Sequence, residues 1–500
     1  MKKTLPVFLL FVIIVLEGYV VLSSELLAIR QTIPFVGSGT DTVSIIIAAV
    51  LMPLAFGYQA GGRYRPGFAA NGRYHSIRRK LIRNMFISMI ILLLGLSYAL
   101  INVFFFALIK AGITHRLLLV TLYSAIFLVT PVYLLGQTIP LVSNYFSKQK
   151  LAKVTGKILF FSTLGSFLGA VFSTLVLMAN LGVHHTVSLN FIILAGLIIL
   201  LSKKKFSEVV IFAIFLAGAG LYLNSEKMME TFNIVENNQY NTIVVYEEDG
   251  ERHLIMNNNG SSMYSDDGHK HDYVEFIEKI AITPILNTEE PKDILVIGAG
   301  AFTLGFEDTV NNYDFIDIDK SLKRISEEHI LKAELTDNKV FHPVPARAFL
   351  TQSQKAYDLI VLDAYLGDLT LPEHLITVEF FKHVKAHLKP GGSMVGNFIA
   401  SPNMANRFSR KLDNSLREAF PHINRYIVEE HDVWNTDGNK TANVIYSYTH
   451  FPQDDTEDVY TDNKNTVFYD KPQNRGDFDD KEPETVEEDT EEDENAEQTE

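Results

Sequence analysis

Two glycines and two strand-end carboxylates are the residues whose spacing points to chemistry. The stretch Leu295 to Gly305, LVIGAGAFTLG, runs apolar and breaks at Gly298 and Gly300, as a strand does where its backbone turns sharply and lets a ligand approach. In a G-x-G-x-x-G loop the third glycine would stand where this chain has Thr303, and Gly305 comes two places late. Asp317 follows Gly298 by nineteen residues, at the end of the run YDFID. A carboxylate at that offset can accept bonds from both hydroxyls of a ribose. The plainer reading makes Asp317 a solvated strand end and Asp319 a helix cap. Asp363 ends a third apolar run, YDLIVLD, and opens into Ala364, Tyr365, Leu366, Gly367 and Asp368. There it could take a proton from a substrate amine or hold the amine by charge, or simply cap a turn.

For these residues to meet, each must end a strand of one parallel sheet, because ligands sit beyond the carboxyl ends of such strands. From Lys292 onward the pattern alternates in that way: strand 293–297, helix, strand 313–318, helix, a short strand near 340–344, strand 357–362, helix 377–388 and strand 393–399. The helix after the glycines would present free N–H groups to a ligand. A late pair, 424–430 and 442–448, is expected as an antiparallel edge. Ahead of the sheet, 241–247 and 252–256 form a hairpin across Glu248 to Glu251, followed by a helix near 270–285.

The first half of the chain is different. With 47% hydrophobic residues over 500 positions, the chain is too long for one ordinary domain and too apolar to be soluble throughout. Apolar segments near 5–29, 41–60, 84–109, 115–139, 157–180, 185–202 and 206–223 are mostly long enough to cross about 30 Å of hydrocarbon. The expectation is a polytopic helical membrane bundle of about seven spans over 1–224. Glu17, Glu25 and Arg30 fall in or at the end of the first span, where an ionisable residue faces a bundle interior or snorkels to the interface. Small residues Gly156, Ser162, Gly165, Ser166 and Gly169 are expected to form a packing face on the fifth. His184 and His185 read as a loop pair, and no metal site is expected.

Absence of cysteine excludes disulfide scaffolds, thiolate metal sites and a cysteine nucleophile. The net charge of −15 is concentrated in the tail, where Asp477 to Glu500 holds fourteen carboxylates and one lysine. The remainder is near neutral, so no basic footprint for nucleic acid exists, and 456–500 reads as a disordered acidic tail.

Taken in order, IGAG, the acidic end of the second strand, YDLIVLDAY, PEHLITVEFF and LKPGG resemble the spermidine synthase group of the class I methyltransferase-like, or Rossmann-like, fold. The match is closer still to bacterial proteins in which a multi-span domain precedes such a domain: YQAGGR at 58–63, LGQTIPL at 135–141 and TLGSFLGA at 163–170 resemble their membrane half. The resemblance implies a small β-hairpin subdomain and linking helix at 225–290 and the synthase-like domain at 291–455. It implies transfer of an aminopropyl group from decarboxylated S-adenosylmethionine, used as co-substrate without a metal, to a diamine such as putrescine. On that reading Asp363 is the acid-base residue, Gly298, Gly300 and Asp317 hold the donor, and Tyr240, Asn241, Tyr273 and Tyr365 contact substrate. Related synthases are commonly dimers, which makes a homodimer an expectation.

The departures also matter. Ala301 stands where the family's glycine loop carries an aspartate for the donor's amino group, Leu366 replaces a second aspartate after the catalytic one, and Val344-Pro345-Ala346-Arg347 replaces an acidic element facing the adenine. Two other readings therefore stand beside the enzyme: a non-catalytic sensor or transporter with a degenerate synthase domain, and an S-adenosylmethionine-dependent methyltransferase. Basic loops at 61–83, 148–157 and 203–205 fall on the side of Lys2 and Lys3, which places the amino terminus inside. Seven full spans would leave the soluble half outside; one span fewer would return it to the cytoplasm beside an intracellular donor, the side slightly preferred here.

Overall fold

The computed structural model describes residues 6–68, 74–146, 151–204, 206–286, 288, 290–365, 372–428 and 441–450. The acidic tail, Leu366 with Gly367 and Asp368, and the end of the expected strand 424–430 lie outside these residues.

Long apolar runs make the amino-terminal half helical: α1 (Val7–Val36), α2 (Thr40–Arg63), α3 (Ile77–Leu96), α4 (Tyr98–Lys110), α5 (Arg116–Phe127), α6 (Val129–Gly136), α7 (Thr138–Ser143), α8 (Leu151–Phe167), α9 (Ala179–Leu201) and α10 (Glu208–Leu223). A π-helical stretch, Leu168–Met178, joins α8 to α9. A two-residue pair, β1 (Gly67–Phe68) with β2 (Tyr74–His75), lies between α2 and α3. Among the described residues four helical stretches are long and apolar enough to span a membrane, and five if α3 and α4 count as one broken span. This is a multi-pass membrane region with fewer uninterrupted spans than the seven expected.

Three differences account for the count. The segment 84–109 breaks at Ser97, where α3 and α4 incline by 67°. The last segment gives a helix of 16 residues, about 24 Å long at 1.5 Å per residue. The fifth and sixth segments run as one stretch, Val154–Leu201, bent at Gly182, whose φ of 83° no helix interior tolerates. Both arms of that bend pack on α1. A Cβ at Gly165 would stand 2.2 Å from the Val15 carbonyl and one at Gly169 2.3 Å from that of Tyr19, so the small-residue face is what lets the backbones meet. Beyond the bend, Asn190 donates to Ser24 Oγ at 3.4 Å. Phe8, Phe106, Phe160 and Phe215 are exposed on the outside of the bundle, as lipid-facing residues should be.

The soluble half packs on the end of the bundle where α1 finishes: Asn258 Nδ2 donates to the Pro34 carbonyl at 2.9 Å, and Tyr98 meets Phe232 edge-on at 5.5 Å. Arg63, at the end of α2, and Arg78, Arg79, Lys80 and Arg83, in the first turns of α3, lie at the opposite end.

The expected hairpin is the centre of a four-stranded antiparallel sheet, ordered β3 (Ile234–Asn237), β4 (Thr242–Glu248), β5 (Glu251–Met256) and β6 (Asn259–Ser265). The outer strands escape pattern reading because β3 is four residues long and β6, NGSSMYS, is polar. A second sheet comprises β7 (Asp293–Ile297), β8 (Asn312–Asp317), β9 (Lys339–Pro343), β10 (Tyr357–Leu362), β11 (Leu388–Ala400), β12 (Asn424–Val428) and β13 (Ala442–Thr449). Its order is β12-β13-β11-β10-β7-β8-β9. The five strands from β9 to β11 are parallel, and β13 runs antiparallel to β11 and β12. The strands are buried on both faces, as a parallel sheet requires. Strand order reverses between β7 and β10, and the crevice opens there.

One expected element is missing. No helix follows β7; residues 301–308 are mostly turns. Gly300, Phe302 and Gly305 take positive φ of 50°, 58° and 63°, which breaks any helical run, and the Phe302 ring is driven into the core against Phe315 and Phe341.

Candidate functional site

The carboxyl ends of β7, β8 and β10, with β6 and the helix after it, enclose a cavity of about 300 Å³ lined by Gly298, Gly300, Asp317, Asp363, Tyr273 and Tyr365, among others. Six of the eight residues expected at a site from sequence therefore share one crevice. Phe302 takes no part in the wall, and Pro345 lines it without closing it.

Gly298 is needed less for the ligand than for the sheet. Its φ is 97°, and an added Cβ would stand 2.0 Å from the Asp363 carbonyl oxygen. Only glycine lets β7 and β10 end so close together. That proximity brings the glycine turn and Asp363 into the same opening. With no helix behind the turn, the wall there is an irregular loop rather than a helix terminus, and the N–H groups of Ala299 and Ala301 are bonded to Asp317 and Ser262.

Asp317 accepts from the Ala299 N–H at 3.3 Å and from the Asp319 N–H at 3.0 Å. Burial pushes its pKa up to about 6; the Asp319 charge adds to this and the two N–H bonds oppose it. Asp363 accepts from Tyr273 Oη at 3.2 Å and Asn397 Nδ2 at 3.0 Å. Burial raises it too, to about 6, against those two bonds. Tyr365 is locked by its hydroxyl, which donates to the Asn397 carbonyl at 3.0 Å and accepts from the Ile399 N–H at 2.8 Å, so its ring is a fixed wall. Asn397 Oδ1 is buried without a hydrogen-bond partner. An acceptor in that condition, beside a carboxylate, suits a ligand N–H donor.

Tyr240 and Asn241, expected to contact substrate, are not on the cavity wall. Tyr240 is 37% exposed. Asn241 turns away from the cavity, donating to Asp319 Oδ2 at 2.9 Å and accepting from Asn257 Nδ2 at 2.8 Å. Asp319 is more than a helix cap: it is fully buried and bound by both Asn238 and Asn241. Ala301 is buried behind the wall, its N–H donating to Ser262 Oγ at 3.0 Å.

Sequence reasoning missed Ser261, Ser262, His271, Thr303, His374 and Asn397, all on the wall. Asn397 had a signal, as a polar residue inside the apolar strand MVGNFIA. The serines had none, because their strand was not recognised. His184 and His185 belong to α9 rather than to a loop, and with Glu226 they bring three potential ligand atoms within 4.8 Å of one another.

The spermine/spermidine synthase domain family matches residues 274–429. The polyamine aminopropyltransferase of Oceanobacillus iheyensis is 25% identical over 276 residues, covering 49% of this chain and 52% of that protein. The one from Vibrio vulnificus is 27% identical over 177 residues, covering 33% of this chain and 58% of that protein. The chain thus spans about half the length of these curated relatives. A probable spermidine synthase from Corynebacterium glutamicum superposes with a TM-score of 0.37 at 20% identity, over 44% of this chain and 81% of that one.

Proposed function

We propose that this C-terminal spermidine-synthase-like domain, fused to an N-terminal multi-span helical region, transfers an aminopropyl group from decarboxylated S-adenosylmethionine to a diamine such as putrescine. The observation that carries the reading is Asp363 on the cavity wall, buried and held by Asn397 Nδ2 and Tyr273 Oη, with Asn397 Oδ1 left as an orphaned acceptor on the same side chain that holds it. Together they form an acceptor-rich corner for an ammonium in the cavity that the glycine turn and Asp317 also line.

In this reaction the amine lone pair attacks the methylene carbon bonded to the sulfonium. The carbon–sulfur bond breaks with its electron pair going to sulfur, leaving neutral methylthioadenosine, and the amine proton passes to Asp363. No enzyme nucleophile is required, so catalysis consists of positioning, proton removal and exclusion of water. Asp317 would hold the ribose hydroxyls, Gly298 and Gly300 the adenosine beside their backbone, and Tyr273 and Tyr365 the chain between donor and acceptor. The raised pKa of Asp363 helps: taking a proton from an ammonium of pKa about 10.4 costs about 6 kcal/mol for a carboxylate near 6, against about 9 for one at the ordinary value.

We read the bundle as seven passes, the two arms on either side of Gly182 counted separately and Ile77–Lys110 and Glu208–Leu223 each crossing once. Full-length protein in detergent, given decarboxylated S-adenosylmethionine and putrescine, should release methylthioadenosine and spermidine, detected by mass spectrometry. Binding of the donor without turnover would replace this reading by a sensor, and methyl transfer from S-adenosylmethionine would replace it by a methyltransferase.

A further inference from the structure

Arg30 is 4% exposed at the soluble end of α1. It does not snorkel. Its Nε donates to the Asn238 carbonyl at 2.7 Å, and its Nη2 to Thr242 Oγ1 at 3.0 Å and Asn237 Oδ1 at 3.4 Å. A cation of the first membrane helix thus grips the loop between β3 and β4 from below. The same loop grips the crevice from above: Asn238 Nδ2 donates to both oxygens of Asp319 at 2.9 and 3.0 Å, and Asn241 Nδ2 to Oδ2 at 2.9 Å. Asn238 Oδ1 meanwhile accepts from the N–H groups of Tyr240 and Asn241, so the turn cannot move without releasing the carboxylate.

Asp319 is fully buried, yet its remaining donors, the N–H and hydroxyl of Ser321, are neutral as well. Among the described residues no basic group lies within ion-pair distance of it. A buried carboxylate in that position gains from a compensating charge nearby, and Arg30 is a buried cation that attracts it from the other side of Asn238. Asp319 in turn passes its position on, because its N–H donates to Asp317 Oδ1 at 3.0 Å. Neither Arg30 nor the asparagines touch the cavity.

We propose that Arg30 is a positioning residue for the crevice: through Asn238, Asn241 and Asp319 the first membrane helix sets the orientation of Asp317, and with it the grip on a ligand ribose. The inference rests on the adenosine reading of the cavity given above. It assigns the membrane half a part in ligand recognition beyond anchoring, and by linkage a filled crevice stabilises the contact of α1 with the loop.

The test uses full-length protein in detergent and two probes, methylthioadenosine and its 2′-deoxy analogue, with binding followed by calorimetry. A carboxylate holding ribose hydroxyls makes the wild type prefer the first probe by roughly tenfold or more, as expected for hydrogen bonds to a charged group. In Arg30→Gln that preference should fall below about threefold, with affinity for the deoxy probe little changed. General damage to the fold would weaken both probes alike and leave their ratio intact, which overturns the proposal. Should Arg30→Gln fail to fold, Arg30→Lys retains the cation but reaches only one of the three acceptors. A partial loss of preference supports the relay, and full retention overturns it. If the wild type binds neither probe, the adenosine reading itself has failed, a result distinct from an unchanged ratio in the variants.

Discussion

Replacing Asp363 by asparagine separates what this residue costs the fold from what it does for chemistry. Its carboxyl has a pKa raised from 3.8 to about 6, so the folded state holds the proton more tightly than the unfolded one. Stability therefore declines as pH rises from the unfolded value through the folded value, and the full penalty is present above about 6. From the two pKa values the penalty is roughly half as large at pH 5 as at pH 8, where it is about 3 kcal/mol. Asparagine is neutral, similar in shape, and able to keep one bond each with Tyr273 and Asn397. Asp363→Asn should therefore stabilise the soluble domain more at pH 8 than at pH 5. For a domain of this size each kcal/mol corresponds to about 2–4 °C, so the gain in Tm should be several degrees at pH 8 and roughly half of that at pH 5. The assay is thermal unfolding of the full chain in detergent, read by a probe in the soluble half, beside a transfer assay in which the variant loses roughly a hundredfold or more in rate. A variant that is less stable than wild type at pH 8, or whose advantage does not grow with pH, refutes the assignment of a burial-strained base. Such a result would return Asp363 to the role of an ordinary turn cap.

The pH profile of transfer by the wild type should rise through about 6 as Asp363 ionises, and kcat/KM measured from pH 5 to 8 checks this; a flat profile excludes it as the proton acceptor. Asn397→Leu removes the orphaned acceptor and should raise KM for the amine about tenfold while leaving methylthioadenosine affinity unchanged, so an equal loss of both would locate Asn397 on the donor side. The absence of native cysteine makes single-cysteine labelling clean. A cysteine at Arg65 and one at Tyr246 should react from opposite faces of the membrane, since α2 ends away from the soluble half. Basic residues favour the cytoplasm, so Arg65 is expected to be labelled from inside and Tyr246 from outside, opposite to the slight cytoplasmic preference stated for the soluble half from sequence. Labelling from a single face would contradict the packing of the two halves.

Much of the site was legible in the sequence because local pattern and strand-end position both depend on near neighbours. The apolar runs of β7 and β10 were read to the residue, and β8 to within one, so Gly298, Asp317 and Asp363 could be placed at strand ends before any tertiary contact was known. The length of the apolar runs also marked the membrane helices, because a bilayer imposes the same demand on every residue of a span. What the tertiary structure alone decided depends on contacts between distant segments. The bend at Gly182 depends on a backbone conformation no propensity encodes, and the missing helix after β7 on the Phe302 ring finding its pocket between two strands. The wall serines come from an outer strand whose polar composition hides it until β5 offers its free edge. Asn241 and Arg30 show the same limit most plainly. Asn241 was expected to touch substrate, and Arg30 to face the bundle interior or snorkel to the interface; instead Asn241 is held by a carboxylate 78 residues away and Arg30 by a loop 208 residues away, partners that only folding brings within reach.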